Sequence, residues 1–373
     1  MIRSKNIFSE LKDMEHLYTI KNFPSFIGTS DQEYSNDITS DLIFDISKSS
    51  GIVQIRKLLP TDLVYKKFHS EALGNIWKEH HESFSDFILK NNPSEVIDIG
   101  GSDGYIGHIS KKKNKNLNWT VIDLLTSEKY PEIKYLTGDY SNHLINFKKI
   151  ETIVHSHTIE HMYYPKEFLH NISNLMPEGT MHIFSIPNFD KYLEQKYSNV
   201  LNFEHTFFLN ESLMDALLEE HGFKIIEKKY FKDHSIFYST IKINKKINFN
   251  YNNYNLNKNN FKNYFKYYES IVSKLNTILE NEASFIFGAH VFSQFLISLG
   301  LNSKKIINVL DNSDLKKDQR LYGSKLITKK PDIIKTLNKP NVIVFAGSYQ
   351  KEVEDQLKKI NSGVRIINEK SIS

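Results

Sequence analysis

A chain of 373 residues is long enough for two or three domains with cores of their own. Its formal net charge of +4 is modest and the charges are mixed rather than blocked, which gives no electrostatic case for a nucleic-acid partner. There is no cysteine, which excludes disulfides, thiolate nucleophiles and cysteine metal sites. No apolar stretch approaches the length of a membrane span and the N-terminus has no signal-peptide core, so a cytoplasmic location is expected.

From Met1 to about His69 the pattern is mixed, with Pro24, Gly28, Pro60 and a β-prone run at Gly51-Ile52-Val53-Gln54-Ile55, as in a small irregular domain. Apolar residues at helical spacing follow, among them Ala72, Ile76, Trp77, Phe84, Phe87 and Ile88, and predict a helix to Leu89. Glu95-Val96-Ile97-Asp98-Ile99 reads as a strand buried on both faces, running into Gly100-Gly101-Ser102-Asp103-Gly104-Tyr105, a glycine turn and a helix start. Glycines there remove the Cβ atoms that would block a ligand's approach to the backbone. A dinucleotide would need room for a pyrophosphate, and the carboxylate of Asp103 disfavours one, whereas an ammonium or sulfonium group would be welcome.

Trp119-Thr120-Val121-Ile122-Asp123 predicts a second strand and Ile133 to Tyr140 a third, each ending in an acid. Ligands of doubly wound sheets bind beyond the carboxyl ends of the strands, so Asp123 is expected on ribose hydroxyls and Asp139 on an adenine amino group, with Tyr140 beside it. Lys149 to His161 forms a fourth strand and its loop, carrying His155, His157 and His161. The H-E-x-x-H pattern is absent, so no metal site is expected and His161 is read as packing or capping. Gly179 to Asn188 is a fifth strand; Asn210 caps a helix that stops at Gly222; Phe223 to Glu227 and Ser235 to Ile243 are further strands. Asparagine and lysine dominate residues 244–263, which read as a linker before a helix over Tyr264 to Leu279. Ala283 to His290, Ile306 to Asn312 and Asn341 to Gly347 repeat the strand-and-glycine-turn device. The fold class is therefore α/β, with two Rossmann-like domains of which the C-terminal one is smaller.

The arrangement Asp98-x-Gly100-x-x-x-Gly104 resembles the first motif of class I S-adenosylmethionine methyltransferases, and Gly100-x-x-Asp103-Gly104-Tyr105 is especially like that of the bacterial sugar C-methyltransferases. Ser47-Lys48-Ser49-Ser50-Gly51-Ile52-Val53-Gln54 resembles the zinc knuckle of that family's N-terminal domain, with Ser47 and Ser50 at cysteine positions, so the resemblance implies that this zinc is lost. Glu204-His205 resembles the family's Glu-His pair, although Asn202 replaces a tyrosine, and His234-Ser235 is a shortened form of its His-Gly-Gly-Ser segment. Gly288-Ala289 and Val309-Leu310-Asp311 are similar to its C-terminal domain, with Ser293 in place of the last turn glycine.

The resemblance covers nearly the whole chain. It implies a small N-terminal domain over 1–69, a cofactor domain over 70–243, a linker over 244–263 and a domain over 264–373 that could bind the acceptor. It implies methylation of a sugar or nucleotide-linked sugar in making a bacterial surface polysaccharide such as a capsule. The expected cofactor site comprises Asp98, Gly100, Gly101, Ser102, Asp103, Gly104, Tyr105, Asp123, Asp139, Tyr140 and His157. His205 is the expected general base, with Glu204, His157 and His234 as its helpers or substitutes. Two other readings compete: a non-catalytic partner subunit that binds S-adenosylmethionine or a nucleotide sugar, and, less well supported, an NAD-dependent oxidoreductase.

Overall fold

The computed structural model describes residues 1–65, 74–145, 147, 150–248 and 250–372. Val96, Ile97 and Ile99 are almost fully buried because their strand, Glu95–Ile99, lies in the middle of a seven-stranded sheet with apolar clusters on both faces. Parallel neighbours Asn118–Asp123 and Thr152–Ser156 flank it, followed outward by Lys134–Thr137 on one side and Met181–Pro187 on the other. Strands counted in chain order, the sheet reads 3-2-1-4-5-7-6, and the hairpin Phe223–Phe231 with Ser235–Lys242 adds the antiparallel edge. Strand order reverses about Glu95–Ile99, the point at which ligands of such sheets bind in a crevice at the carboxyl ends of the strands.

An N-terminal sheet sits over that end. Met14–Pro24, Thr39–Ser47 and Val53–Ile55 pair antiparallel, and its fourth strand, Phe207–Phe208, is supplied by the segment after the fifth strand of the large sheet. Glu204 and His205 are thereby carried to the seam between the two sheets. In the knuckle, the Ser47 hydroxyl donates to Asp13 Oδ2 (2.7 Å), the Ser50 hydroxyl donates to Ser47 Oγ (2.9 Å), and Asn6 Nδ2 donates to Ser50 Oγ (3.0 Å). Below this polar net Leu17, Ile20, Phe23, Leu42, Phe44 and Ile46 form an apolar core.

Residues 244–263 are only in part the linker expected. Helix Tyr254–Asn281 begins well before Tyr264, because Phe261 continues the buried stripe of Tyr264, Phe265, Tyr268, Ile271, Val272, Leu275 and Leu279 at helical spacing, while the intervening asparagines and lysines face outward. That stripe packs on Phe44 of the N-terminal sheet and on Phe295 of the C-terminal unit. Five short strands there form an all-parallel sheet, in the order Thr328–Lys329, Ile306–Leu310, Ser284–Phe287, Asn341–Ile343 and Arg365–Ile367.

Other boundaries moved by a few residues. The leading helix is described over Asn75–Leu89, the third strand stops at Thr137, and the fifth runs Met181–Pro187; residues 70–73 and Lys149 lie outside the described residues. Among the described residues no helix is long and apolar enough to cross a membrane.

Candidate active site

The glycine turn is built by its own backbone. Gly100 and Gly104 adopt φ of +75° and +77°, and a Cβ at Gly100 would stand 2.7 Å from the Thr158 side chain, so both the dihedral and the space call for glycine. Gly100 N donates to Ile122 O (2.8 Å) and Ser102 N to Asp123 Oδ2 (2.9 Å), which ties the turn to the end of the second strand. Helix Tyr105–Lys113 then starts from Gly104 with its first amides at the crevice.

The acids of this region do different work. Asp123 takes backbone donors, Ser102 N and Leu125 N (3.1 Å), and no cation pairs with it among the described residues. Burial pushes its carboxyl upward, opposed by those amides. A half-buried carboxylate with unspent lone pairs beside a glycine turn is the acceptor that two donating ribose hydroxyls require, so an adenosine fits here.

Asp98 lies beneath the turn instead of facing the crevice. It is buried, accepts from Trp119 Nε1 (3.2 Å), and would meet a Cβ on Gly101 at 2.5 Å; burial raises its carboxyl to about 7. Asp103 accepts from Tyr105 N (3.0 Å) and pairs with Lys129 (3.3 Å), so its charge is partly offset and is a weaker bar to a pyrophosphate than the sequence suggested. The antiparallel edge of the sheet separates this fold from a dinucleotide sheet more firmly. Asp139 is an exposed helix cap for Ser141 N (2.8 Å), a role that short acids at helix starts commonly fill, and Tyr140 packs edge-on against Phe168.

At the end of the fourth strand the histidines gather. His157 adopts φ +51°, its Nε2 meets Ser235 Oγ at 2.8 Å, and its Nδ1 lies 3.5 Å from Glu160 Oε1. His234 Nδ1 shares Ser235 Oγ (2.6 Å), and Trp77 stands edge-on to both rings. The leading helix adds His80, whose Nε2 meets Ser185 Oγ at 3.0 Å, and His81, which faces Tyr105. His155, by contrast, points into the core and pairs with His182 (2.9 Å).

Across the seam, His205 meets the His161 ring edge-on with centroids 4.7 Å apart, and His161 Nδ1 is bound to Tyr65 OH at 3.0 Å. Thr206 N donates to Glu160 O (2.9 Å), which holds this loop to the short helix Ile159–His161. Burial keeps His157, His205 and His234 at about 3, so all three rings are neutral at working pH and take up protons reluctantly. A neutral ring carries the free lone pair that a general base requires. Glu204 sits on the same loop with its amide bound to Asn202 Oδ1 (2.7 Å). Glu160, which the sequence reading passed over, is buried between the two groups of histidines, and burial raises its carboxyl to about 7. Trp77, His80 and Tyr65 were missed as well; only the i, i+3 spacing of Trp77 and His80 on one helix face hinted at a shared target.

A glycine turn, a strand-end acid and a crevice beside a 3-2-1-4-5-7-6 sheet define a Rossmann-like cofactor-binding fold. Residues 71–228 match the family model described as a methyltransferase domain. That stretch, less than half of the chain, thus resembles a methyltransferase domain. No curated protein matches it. Among solved structures, it is similar to the 1,6-didemethyltoxoflavin-N1-methyltransferase of Burkholderia thailandensis with bound 1,6-didemethyltoxoflavin and S-adenosylhomocysteine, at 12% identity and a TM-score of 0.36 over 46% of this chain and 82% of that one. Human N-acetylserotonin methyltransferase in complex with SAM is matched at 17% identity and a TM-score of 0.37, over 45% of this chain and 52% of the human enzyme. The PH0226 protein of Pyrococcus horikoshii OT3 is matched at 12% identity and 0.39, over 48% and 98%.

Proposed function

We propose that this chain methylates a carbon or oxygen of a sugar, free or nucleotide-linked, in the making of a bacterial surface polysaccharide. One observation carries the reading: the loop with Glu204 and His205 is drawn by strand Phe207–Phe208 to the seam beside the histidine-lined crevice, next to the glycine turn. S-adenosylmethionine supplies an electrophilic methyl group. The protein's part is to hold donor and acceptor in line, which is worth several orders of magnitude in rate. Asp123 and the turn amides hold the donor; His157 stands at its methyl end; His205 and Glu160 meet the acceptor. The sugar class rests on the resemblance of the Glu204-His205 and His234-Ser235 segments, and the C-terminal unit is assigned to acceptor recognition on the same ground.

Incubation of the full chain with S-adenosylmethionine and candidate nucleotide sugars, read by mass spectrometry, should show the gain of one methyl group. Binding of S-adenosylhomocysteine with no methyl gain on any sugar would favour the non-catalytic partner instead.

A further inference from the structure

Glu160 is 2% exposed, and neither of its carboxylate oxygens accepts a hydrogen bond among the described residues. His157 Nδ1 stands 3.5 Å from Glu160 Oε1 without a hydrogen bond between them. A carboxylate taken out of water without a partner is among the costliest arrangements in a protein interior, and such groups are found paired or on metals.

We propose that Glu160, His161 and His205 hold a divalent first-row transition ion, for which zinc is the best fit, at the seam between the two sheets. Their donor atoms all lie within 4.8 Å of one another. Ligands at about 2.0–2.2 Å from a zinc ion stand roughly 3–4 Å apart, so shifts of under about 1 Å at the side-chain ends would close the set. Two imidazoles and one carboxylate select zinc, iron, cobalt or manganese over magnesium and calcium, and three protein ligands leave positions open.

The outer contacts agree with this role. A metal-ligating histidine is commonly oriented through its second ring nitrogen. His161 meets Tyr65 OH through Nδ1, and one ring nitrogen of His205 is bound to the backbone carbonyl of Val200. Both rings are therefore held in place, with a donor atom of each within 4.8 Å of a Glu160 oxygen. The second group of candidate donors, His80, His157 and His234, is less suited because it has no carboxylate.

No metal was expected from sequence because no H-E-x-x-H helix is present; folding brings the third donor, His205, from a loop far along the chain. With the ion in place, His205 serves the acceptor as a ligand that fixes the ion, and the open positions take neighbouring oxygens of the acceptor. A sugar bearing two adjacent oxygens is the chemical class this would select. That last step rests on the methyl-transfer reading; binding of the ion does not.

The test is titration of the chelator-stripped full chain with cobalt(II) chloride, followed by displacement with zinc chloride. Ligand-field absorption should saturate at one ion per chain and be lost when zinc is added. Glu160→Gln should weaken cobalt binding by at least about a hundredfold, more than the loss of an outer partner usually costs, while His234→Asn leaves it unchanged. If Glu160→Gln does not fold, His205→Asn reads the same site. Absence of cobalt absorption at millimolar cobalt overturns the proposal, and so does absorption that survives Glu160→Gln but vanishes in His234→Asn. Calorimetry with S-adenosylhomocysteine on the same samples separates the two claims: nucleoside binding without an ion sinks only the metal, and an ion without nucleoside binding sinks only the methyl-transfer reading.

Discussion

The two glycine turns of this chain use one backbone device with different surroundings. Gly100 N donates to Ile122 O and Asp123 holds Ser102 N; in the C-terminal sheet Gly288 N donates to Leu310 O (2.7 Å) and Asp311 Oδ2 holds Ala289 N (2.8 Å). The acids differ in company. Each takes a second amide from two residues on, Leu125 N and Ser313 N (2.9 Å), but Asp311 also has Lys316 at 3.6 Å, whereas no cation pairs with Asp123 among the described residues. The mouths differ too: polar rings stand around the first, while beside the second Gly347 is packed between Phe292 and Tyr197, with a Cβ there 3.4 Å from each ring. A strand, a glycine turn and a following acid make a stable joint wherever they occur. They make a ligand cradle only where the acid keeps lone pairs and the mouth is left to something else.

The largest way to sharpen this contrast is at the first mouth. His205→Asn should leave S-adenosylhomocysteine affinity intact and lower turnover by roughly two to four orders of magnitude, the range for losing a group that acts on the acceptor. A folded variant with near-normal turnover would move that role to His157 or His234.

Acidification should separate the two sheets next. His80 and His155 are held far below the ordinary imidazole value, and His157, His182, His205 and His234 are held at about 3, all by burial in the first unit. Their unfolded value is about 6.5, so the stability they contribute is full above that pH and is lost as pH falls toward 3. The C-terminal unit has His290 alone. Hydrogen exchange at pH 7 and at pH 4.5 should show the seven-stranded sheet losing protection before the five-stranded one. Equal loss in both would contradict the burial account.

The serine knuckle belongs to neither turn and provides the smallest effect. Ser47→Ala leaves Asp13 and Ser50 without the hydroxyl that links them, which should cost about 1–3 kcal/mol of unfolding free energy while nucleoside affinity of the folded protein is unchanged. Urea denaturation with calorimetry on the same sample reads both.

Much of the architecture was legible because it rests on local pattern: Val96 to Ile99 could only be a doubly buried strand, and Gly100 and Gly104 only a turn. The helix at Tyr254 was misread because ten polar-rich residues hid one buried anchor, Phe261, whose partners lie far away in sequence. Within the site, sequence could not separate a ligand acid from a structural one. Asp98, Asp123 and Asp139 all follow strands, yet one props the turn from below, one faces the crevice and one caps a helix. Glu160 was invisible for the same reason: its importance lies in having no hydrogen-bond partner after burial, and only the folded packing shows that.

The first turn is expected to hold the cofactor and the second is not. Calorimetry of S-adenosylhomocysteine with the intact chain, Asp123→Ala and Asp311→Ala tests it directly. One site per chain is expected, weakened by about 1.5–3 kcal/mol in Asp123→Ala through loss of a charge-assisted ribose contact and unchanged in Asp311→Ala. Affinity that falls in Asp311→Ala and survives in Asp123→Ala would place the cofactor on the wrong sheet and contradict the account.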